Sequence, residues 1–334
     1  MSIQTNFTST MIENVYQEQI VEGSSALHRP RICFLIYTYN RADTLPQAVE
    51  SVLNQTFRDF ELVLINNGST DNTSEVLKKY VNHPKVRCIQ LEKNIGSMRG
   101  MNFALDQING EWYGLIGDDD YLYETAFEEA MRVIDEIDPE INAIAANAVS
   151  TATGKLSGLG LHESQYLSLE TAIKETSGDF FGLTKTQLLG KDRLNEKLYG
   201  DANTLWYKVY SKAKRYYIHK PLMVYNNLPG KTESSRIRTM DLNRRVDSYT
   251  ALLKEKHYLQ VIRDFVPDRF RKRCLRGMLF LKLAGNEQGF LSYRNLLTSN
   301  SPGFKEMITL QMISILPRSV LRLFLMSLNF IRIK

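Results

Sequence analysis

The sequence has little that would cross-link the chain, bind zinc or span a membrane. It contains three cysteines in 334 residues, an odd and widely spaced set that is typical of buried thiols in a reducing compartment. Its five histidines show no zinc-ligand spacing. No uninterrupted apolar run is long enough to cross a bilayer, and residues 1–28 lack the basic-then-apolar order of a signal peptide. These absences predict an intracellular, cytoplasmic protein.

The composition is that of a folded globular chain. Hydrophobic residues make up 43% and charged residues 24% of the sequence, and the length suffices for one large domain and an appendage. The net charge of +5 suits an anionic partner such as a nucleotide, a phospholipid head group or an acidic glycan. A charge this small does not demand nucleic acid, and we expect no nucleic-acid partner.

The most informative stretch is an apolar segment that runs directly into three acids. Residues 112–116 predict a buried strand, and Asp118, Asp119 and Asp120 follow after a single glycine. In open α/β sheets, ligands bind at the carboxyl ends of the strands. Three adjacent carboxylates repel one another unless a cation or hydrogen-bond donors compensate their charge, and oxygen ligands favour Mg²⁺ or Mn²⁺. The alternative is a solvated acidic turn that caps a helix starting near Glu124.

The hydrophobic pattern before the acids alternates between strands and helices. The order predicts an α/β fold with a doubly wound, mainly parallel sheet and right-handed crossovers. The predicted strands are residues 31–38, 60–65, 86–89 and 112–116, and the predicted helices are about 43–53, 71–81 and 96–107.

The pattern weakens after the acids. It still predicts a helix at 124–137, a strand at 141–149, a loop at 151–162, a helix opening at Asp201, and short strands at 216–219 and 222–225. Near residue 228 the composition changes, and only helical patterns rich in Leu, Arg and Lys follow. We therefore predict a polar N-terminal extension at 1–29, an α/β domain at 30–228 and a helical C-terminal region at 229–334.

A series of short motifs resembles the family 2 glycosyltransferases of the GT-A fold. In chain order they are Thr38-Tyr39-Asn40-Arg41, residues 48–57, Asn67-Gly68-Ser69-Thr70-Asp71, Asn94-Ile95-Gly96 with Arg99, and the acid cluster. Their order and spacing hold from residue 31 to about residue 123. The resemblance implies transfer of a sugar from a nucleotide-sugar to an acceptor hydroxyl, with inversion at the anomeric carbon.

The resemblance also assigns roles to individual residues. It implies that Asp119 binds the metal, Mn²⁺ or Mg²⁺, which acts as a Lewis acid on the diphosphate. Gly117 departs from the family pattern at the first position of the Asp-x-Asp motif. Asn67 stands where relatives often carry an aspartate that reads uracil, so UDP is favoured while thymine and guanine stay open. The residues implied to bind the donor are Thr38, Tyr39, Asn67, Arg99 and Asp118, with Tyr39 stacked on the base.

The catalytic base is implied to be Asp201. A carboxylate is a natural acceptor for the proton of the attacking hydroxyl, and Asp201 matches the position of the family's catalytic aspartate. Glu196 and Asp192 are reserve candidates, and Asp201 also suits the N-cap of the helix that follows it. Residues 231–236 are placed either to close over the diphosphate or to form a solvated linker.

The C-terminal region combines basic and apolar residues. Residues 263–276 carry six basic side chains against two acidic ones, and residues 320–333 are strongly apolar with basic residues interspersed. The second segment is too short and too basic to cross a bilayer. It predicts a helix lying on an anionic membrane, or one packed on the α/β domain or on a second subunit.

With the resemblance, these patterns predict a cytoplasmic enzyme, peripheral on the inner face of the membrane, that acts on a glycan or lipid-linked acceptor. Its product would be a cell-surface polysaccharide such as a capsule or an O-antigen. Two other functions stay open. A nucleotidyltransferase uses a similar sheet but usually has a Gly-rich basic loop after the first strand, where this chain has residues 39–43. A non-catalytic module would bind a nucleotide or glycan without turnover.

Overall fold

The structure, a computed structural model, describes residues 18–21, 29–158, 160–176, 178–226 and 241–327. Within these ranges ten strands form one sheet with helices on both faces. The strands are β1 (Glu18–Val21), β2 (Ile32–Thr38), β3 (Phe60–Asn66), β4 (Val86–Leu91), β5 (Trp112–Ile116), β6 (Tyr121–Leu122), β7 (Ala143–Ser150), β8 (Gln165–Tyr166), β9 (Phe180–Lys185) and β10 (Arg215–Tyr225).

The helices of the α/β part are mostly short, and longer helices follow in the C-terminal region. The helices of the α/β part are α1 (Leu45–Leu53), α2 (Thr73–Lys78), α3 (Ser97–Asp106), α4 (Ala126–Glu136), α5 (Leu169–Glu175), α6 (Thr186–Leu189) and α7 (Asn203–Tyr210). Those of the C-terminal region are α8 (Leu242–Leu252), α9 (Lys256–Phe265), α10 (Pro267–Ala284), α11 (Glu287–Thr298), α12 (Phe304–Ile315) and α13 (Arg318–Ser327).

The sheet is parallel in one half and mixed in the other. Its order is β1-β4-β3-β2-β5-β9-β7-β10-β6, with β8 paired to β10. The neighbours β4, β3, β2 and β5 are parallel, as the strand–helix alternation predicts. Strand β9 is antiparallel to both β5 and β7, whereas β10 is parallel to β7. The prediction of a mainly parallel sheet therefore describes only the half that contains β2 to β5.

Three elements differ from the sequence-based expectation. The polar extension supplies β1, which pairs antiparallel with β4 at the sheet edge. The two short strands predicted at 216–219 and 222–225 are one strand, β10, whose register with β7 shifts on both sides of Pro221. Proline has no N–H to continue the ladder, which explains the irregularity. The stretch between 163 and 200, where no element was expected, contains β8, α5, β9 and α6.

The central strands are buried on both faces, as expected for parallel strands covered by helices. Successive side chains of β2 point to opposite faces. Phe34 packs with α1, α2 and α4 on one side, while Leu35 packs with α3, α6 and α7 on the other. The carboxyl ends of these strands are thus held rigidly between two layers of helices.

The C-terminal helices pack on the α/β part. Their core includes Phe270, Cys274 and Tyr293, and it is continuous with Leu198 and with Tyr207 of α7. The predicted boundary at residues 228–229 and the predicted loop at 231–236 lie outside the described residues. No described helix has both the length and the apolar character that a membrane crossing requires.

Candidate active site

The carboxyl ends of β2, β3 and β5 meet at one edge of the sheet. Thr38 pairs with Asn66 across β2 and β3, and Ile36 pairs with Ile116 across β2 and β5. Because these strands are parallel, the segments that follow them emerge side by side. Residues 38–41, Asn67 and the acids at 118–120 therefore share this edge, which we call the acid edge.

Asp118 is fixed at the acid edge by groups from β2. The Thr38 hydroxyl donates to Asp118 Oδ2 at 2.7 Å, and the backbone N–H of Tyr39 donates to the same carboxylate. Arg41 Nε lies 3.5 Å from Asp118 Oδ1, and its Nη2 lies 3.9 Å from Asp119 Oδ2. The structure thus brings together four residues predicted for the site, and it adds Arg41, which belongs to the first motif but had no predicted role.

Burial disfavours the charged forms of two of the acids. Burial raises the pKa of Asp118 to about 6 against the hydrogen bond from Thr38, and the charge of Asp119 adds to the rise. Burial also raises the pKa of Asp120 to about 7, although the Asn226 N–H donates to its Oδ1 at 2.8 Å. An added cation would relieve both carboxylates.

The donor groups fit a hard divalent ion that is shared with a substrate. Among the described residues, no three Asp, Glu, His or Cys side chains converge as a ligand cage. Ions such as Mg²⁺ at phosphate sites usually take only one or two protein carboxylates and complete their shell with phosphate oxygens and water. The side chain of Asp119 is 29% exposed, whereas Asp120 is buried. Asp119 is therefore the acid best placed to meet a metal–diphosphate.

Gly117 leaves room for the carboxylates that follow it. A Cβ atom at position 117 would lie 2.9 Å from Asp120 Oδ2 and 3.0 Å from Asp119 Oδ1. A side chain at this position would therefore require these two carboxylates to shift.

Asn67 is buried and its amide is fully engaged within the protein. Its Oδ1 accepts from the Ile95 N–H at 3.1 Å, and its Nδ2 donates to the Tyr37 hydroxyl and to Asn94 Oδ1, the latter at 3.2 Å. These bonds hold the loop after β4 against β2. The predicted contact of Asn67 with the donor base stays a prediction, and a base would have to share these groups.

Arg99 and the reserve bases are tied into ion pairs. Arg99 Nη2 lies 2.8 Å from Glu196 Oε2, with both side chains about half exposed. Asp192 is held by Lys208 and by Lys212, the latter at 2.9 Å. The structure thus links α3 to the segment before α7 through Arg99, and its predicted role in donor binding stays a prediction.

Asp201 joins the α/β part to the C-terminal helices. Both of its carboxylate oxygens accept from Arg273 of α10, at 2.6 and 2.8 Å. Burial alone would lower the pKa of Arg273, but the hydrogen bonds and charge of Asp201 outweigh it and raise that pKa. The N-cap alternative is wrong, because the N-cap residue of α7 is Ala202. The prediction that Asp201 is the base stays a prediction.

Asp179 is a further acid at the same edge, and the sequence analysis missed it. Strand β9 is antiparallel to β5, so it begins where β5 ends and places Asp179, which precedes it, beside the acid cluster. Partial loss of hydration next to the protein raises the pKa of the Asp179 carboxyl, and the charge of Asp119 raises it further. The side chain nevertheless stays accessible to solvent. No motif surrounds Asp179 in the sequence, so only the pairing of β9 reveals it.

Known proteins share this sequence pattern. The sequence model of the family described as glycosyl transferase family 2 matches residues 33–196. The GalNAc(5)-diNAcBac-PP-undecaprenol beta-1,3-glucosyltransferase of Campylobacter jejuni is 31% identical over 203 residues, 59% of this chain and 64% of that protein. Chondroitin synthase of Pasteurella multocida is 35% identical over 133 residues, 39% of this chain and 14% of that protein. The chain therefore spans less than two thirds of the length of these relatives.

The fold is also that of a solved glycosyltransferase structure. The crystal structure of residues 1–349 of S. aureus TarS in complex with UDP-GlcNAc aligns with a TM-score of 0.54 and 20% identity, over 80% of this chain and 91% of that one. This likeness confirms the predicted α/β fold of GT-A type. The family match spans the acid edge from Thr38 to Asp120 and continues to Glu196, and we conclude that this part of the chain is a glycosyltransferase family 2 domain.

Proposed function

We propose that the chain is an inverting glycosyltransferase that moves a sugar from a nucleoside-diphosphate sugar to a hydroxyl of a glycan or lipid-linked acceptor. The observation that carries this proposal is the acid edge, where Thr38 and Arg41 hold Asp118 and Asp119 at the ends of two parallel strands. Relatives named for a lipid-linked acceptor and for a polysaccharide support assembly of a cell-surface polysaccharide. We favour UDP as the nucleotide.

Each residue of the edge has a role in this reaction. Asp119 would hold Mn²⁺ or Mg²⁺, which supplies positive charge to the leaving diphosphate. Asp118, oriented by Thr38 and by the Tyr39 N–H, faces the donor ribose. The ring of Tyr39, half-buried at the end of β2, provides a flat surface for the base. Arg41 keeps the two carboxylates in one arrangement.

The reaction also needs a base on the acceptor side. The acceptor oxygen attacks the anomeric carbon, the bond to the diphosphate breaks with its electron pair, and a carboxylate takes the hydroxyl proton. Two carboxylates are candidates for this step. The resemblance points to Asp201, which is held by Arg273 through both oxygens. The geometry points to Asp179, which is exposed and lies at the acid edge beside Asp119, whose charge raises the pKa of the Asp179 carboxyl and so makes it a better proton acceptor.

Release of the nucleoside diphosphate tests the proposal. The purified chain is incubated with UDP-glucose, UDP-N-acetylglucosamine and GDP-mannose, with Mn²⁺ or with EDTA, and the released UDP or GDP is measured. We expect release only with metal, and more from a UDP donor. The Asp119→Asn variant should lose this activity, whereas Asp264→Asn, which alters an exposed acid on α9, should keep it.

Other results would overturn parts of the proposal. If nucleotide release in EDTA, and release by Asp119→Asn, both equalled that of the wild type with Mn²⁺, Asp119 would not be the ligand of a required metal. A preference for the GDP donor would overturn the proposal that the donor nucleotide is UDP. Donor binding without release, even when mixed glycan acceptors are supplied, would identify a non-catalytic binding module instead.

We further propose that the enzyme lies on an anionic membrane through α12. Phe304, Ile308, Met312 and Ile315 repeat at helical spacing along one face, with exposed fractions of 82, 42, 51 and 79%. We call this face the apolar stripe. Arg318 follows it directly at the start of α13, and basic residues beside an exposed apolar face are typical of helices that lie in a membrane interface.

A further inference from the structure

A cavity of about 370 Å³ lies beside the acid edge, between the sheet and two helices. Tyr113 of β5 and Phe181 of β9 line it from the sheet, while Ile173 of α5 and Trp206 of α7 line it from the helices. Pockets that hold small ligands usually have volumes of about 300–1,000 Å³ and largely apolar, aromatic walls with few polar groups. This cavity has the size of a ligand site, and its lining combines aromatic and polar side chains.

The cavity and the acid edge meet at Asp179. Asp179 lines the cavity, and it lies close enough to Asp119 for that charge to act on it. A molecule in the cavity therefore has one end next to the place where a donor bound at Asp119 would present its sugar. This is the position that an acceptor has to occupy.

Arg215 supplies a half-buried positive charge to the cavity. It lines the cavity, its Nε is buried without a hydrogen-bond partner, and no carboxylate of the described ranges forms an ion pair with it. Burial lowers the pKa of Arg215, and its guanidinium carbon lies 4.2 Å from the centroid of the Tyr210 ring. A partly buried cation without an anionic partner costs stability, and an anionic ligand group would supply that partner.

An aromatic wall lies next to this charge. Trp206 and Tyr210 are four residues apart on α7, so their rings lie on one face of the helix. Their centroids are 6.2 Å apart and their planes differ by 23°. Both rings line the cavity and give it an aromatic surface of the kind that packs against the C–H groups of a sugar. Arg269, also in the lining, adds a second positive charge.

We propose that this cavity is the acceptor site and that it selects an anionic glycan. The sugar ring packs on Trp206 and Tyr210, its negative group pairs with Arg215, and its reacting hydroxyl points past Asp179 to the donor. This inference rests on the proposed glycosyl transfer. A uronic-acid carboxylate and a sugar phosphate share the required charge, and the experiment tests them separately.

Tryptophan fluorescence reports occupancy of the cavity without any turnover. The chain has two tryptophans; Trp112 is fully buried, whereas Trp206 lines the cavity. The probes are methyl β-glucuronide, glucose 1-phosphate and the neutral methyl β-glucoside. We expect a saturable change of emission with at least one anionic probe. The neutral glucoside should bind about 10- to 100-fold more weakly, the range for a lost charge-assisted hydrogen bond. The signal should vanish in Trp206→Phe.

Variants locate the preference at Arg215. Arg215→Gln should reduce binding of the anionic probe to that of methyl β-glucoside. Lys214→Gln removes the neighbouring positive charge, which pairs with Asp138 and Glu140 outside the cavity, and should leave the preference unchanged. Equal binding of anionic and neutral probes to the wild-type protein, or no saturable change with any probe up to its solubility limit, overturns the inference. Those wild-type measurements stand even where Arg215→Gln does not fold.

The two proposals fail in distinguishable ways. If the protein binds the anionic probe but does not release UDP or GDP with metal, the cavity binds a glycan and the proposed glycosyl transfer is wrong. If metal-dependent release of the nucleotide is normal but the cavity does not prefer an anionic probe, the glycosyl transfer stands and the anionic acceptor is wrong.

Discussion

The ion pair between Asp201 and Arg273 offers a sharp test of what Asp201 does. The pair connects the segment before α7 to α10 through two hydrogen bonds of 2.6 and 2.8 Å. Asp201→Asn keeps the shape of the side chain but removes its charge, and Arg273→Gln removes the charge of the partner. Each single change leaves one partly buried group without its counterpart.

The expected cost follows from the burial of the pair. Removing one partner of a fully buried ion pair costs about 3–5 kcal/mol. The side chains here are 21% and 19% exposed, so solvent screening reduces the cost, and we expect a loss of about 2–3 kcal/mol for either variant. The double variant should cost less than the sum of the two, with a coupling energy of about 1–2 kcal/mol.

Urea unfolding of the wild type, both single variants and the double variant measures these free energies. Donor turnover is measured on the same samples under conditions where all four are folded. If Asp201 only connects the two parts, Asp201→Asn and Arg273→Gln should lose similar amounts of stability and activity. If Asp201 is the base, Asp201→Asn should lose turnover by orders of magnitude with donor binding intact, while Arg273→Gln keeps most of it. Stability of Asp201→Asn within about 0.5 kcal/mol of wild type would refute the structural role.

Three further predictions test the site and its surroundings. Asp179→Asn should lower turnover by about 10²–10⁴-fold, the usual contribution of a general base, with unchanged donor binding in a thermal-shift assay; near-normal turnover would exclude Asp179 as the base. The pKa of Asp120 is raised from 3.8 to about 7, so the folded protein binds this proton more tightly and loses stability as the pH rises through that window. Asp120→Asn should therefore stabilise the metal-free protein by about 1–3 kcal/mol at pH 8 and not at pH 4, and an equal effect at both values would contradict the stated cause. Ile315→Lys should abolish flotation with phosphatidylglycerol vesicles while Thr309→Lys does not; a fall in oligomer size instead would make the apolar stripe a subunit contact.

The parallel half of the sheet was predictable because its signals are local. Each strand from β2 to β5 is a mostly apolar run of five to seven residues, and each is followed by a polar turn and a helical pattern. The rule that ligands meet the carboxyl ends of such strands then predicts that Thr38 and Asp118 lie together. The hydrogen bond of 2.7 Å between them confirms that they share one edge.

The partners of individual side chains were not predictable, because they come from distant parts of the chain. Arg99 pairs with Glu196, which lies 97 positions away, and Asn67 bonds to a loop 27 positions away. No local pattern encodes such separations. The sequence resemblance transfers a role to a position, but the hydrogen bonds of the folded chain decide whether the side chain is available for that role.

The residues on the acceptor side of the site were even less predictable from the sequence. Strand β9 is a short segment without alternation, and only its antiparallel insertion between β5 and β7 brings Asp179 to the acid edge. The sequence counts 42 basic and 37 acidic side chains, but such a count does not tell which charges are paired. Arg215 stands out because the surrounding side chains leave its buried Nε without a partner. A partly buried charge without an ion-pair partner costs the folded chain stability, so Arg215 beside an open cavity is better explained by a ligand than by folding.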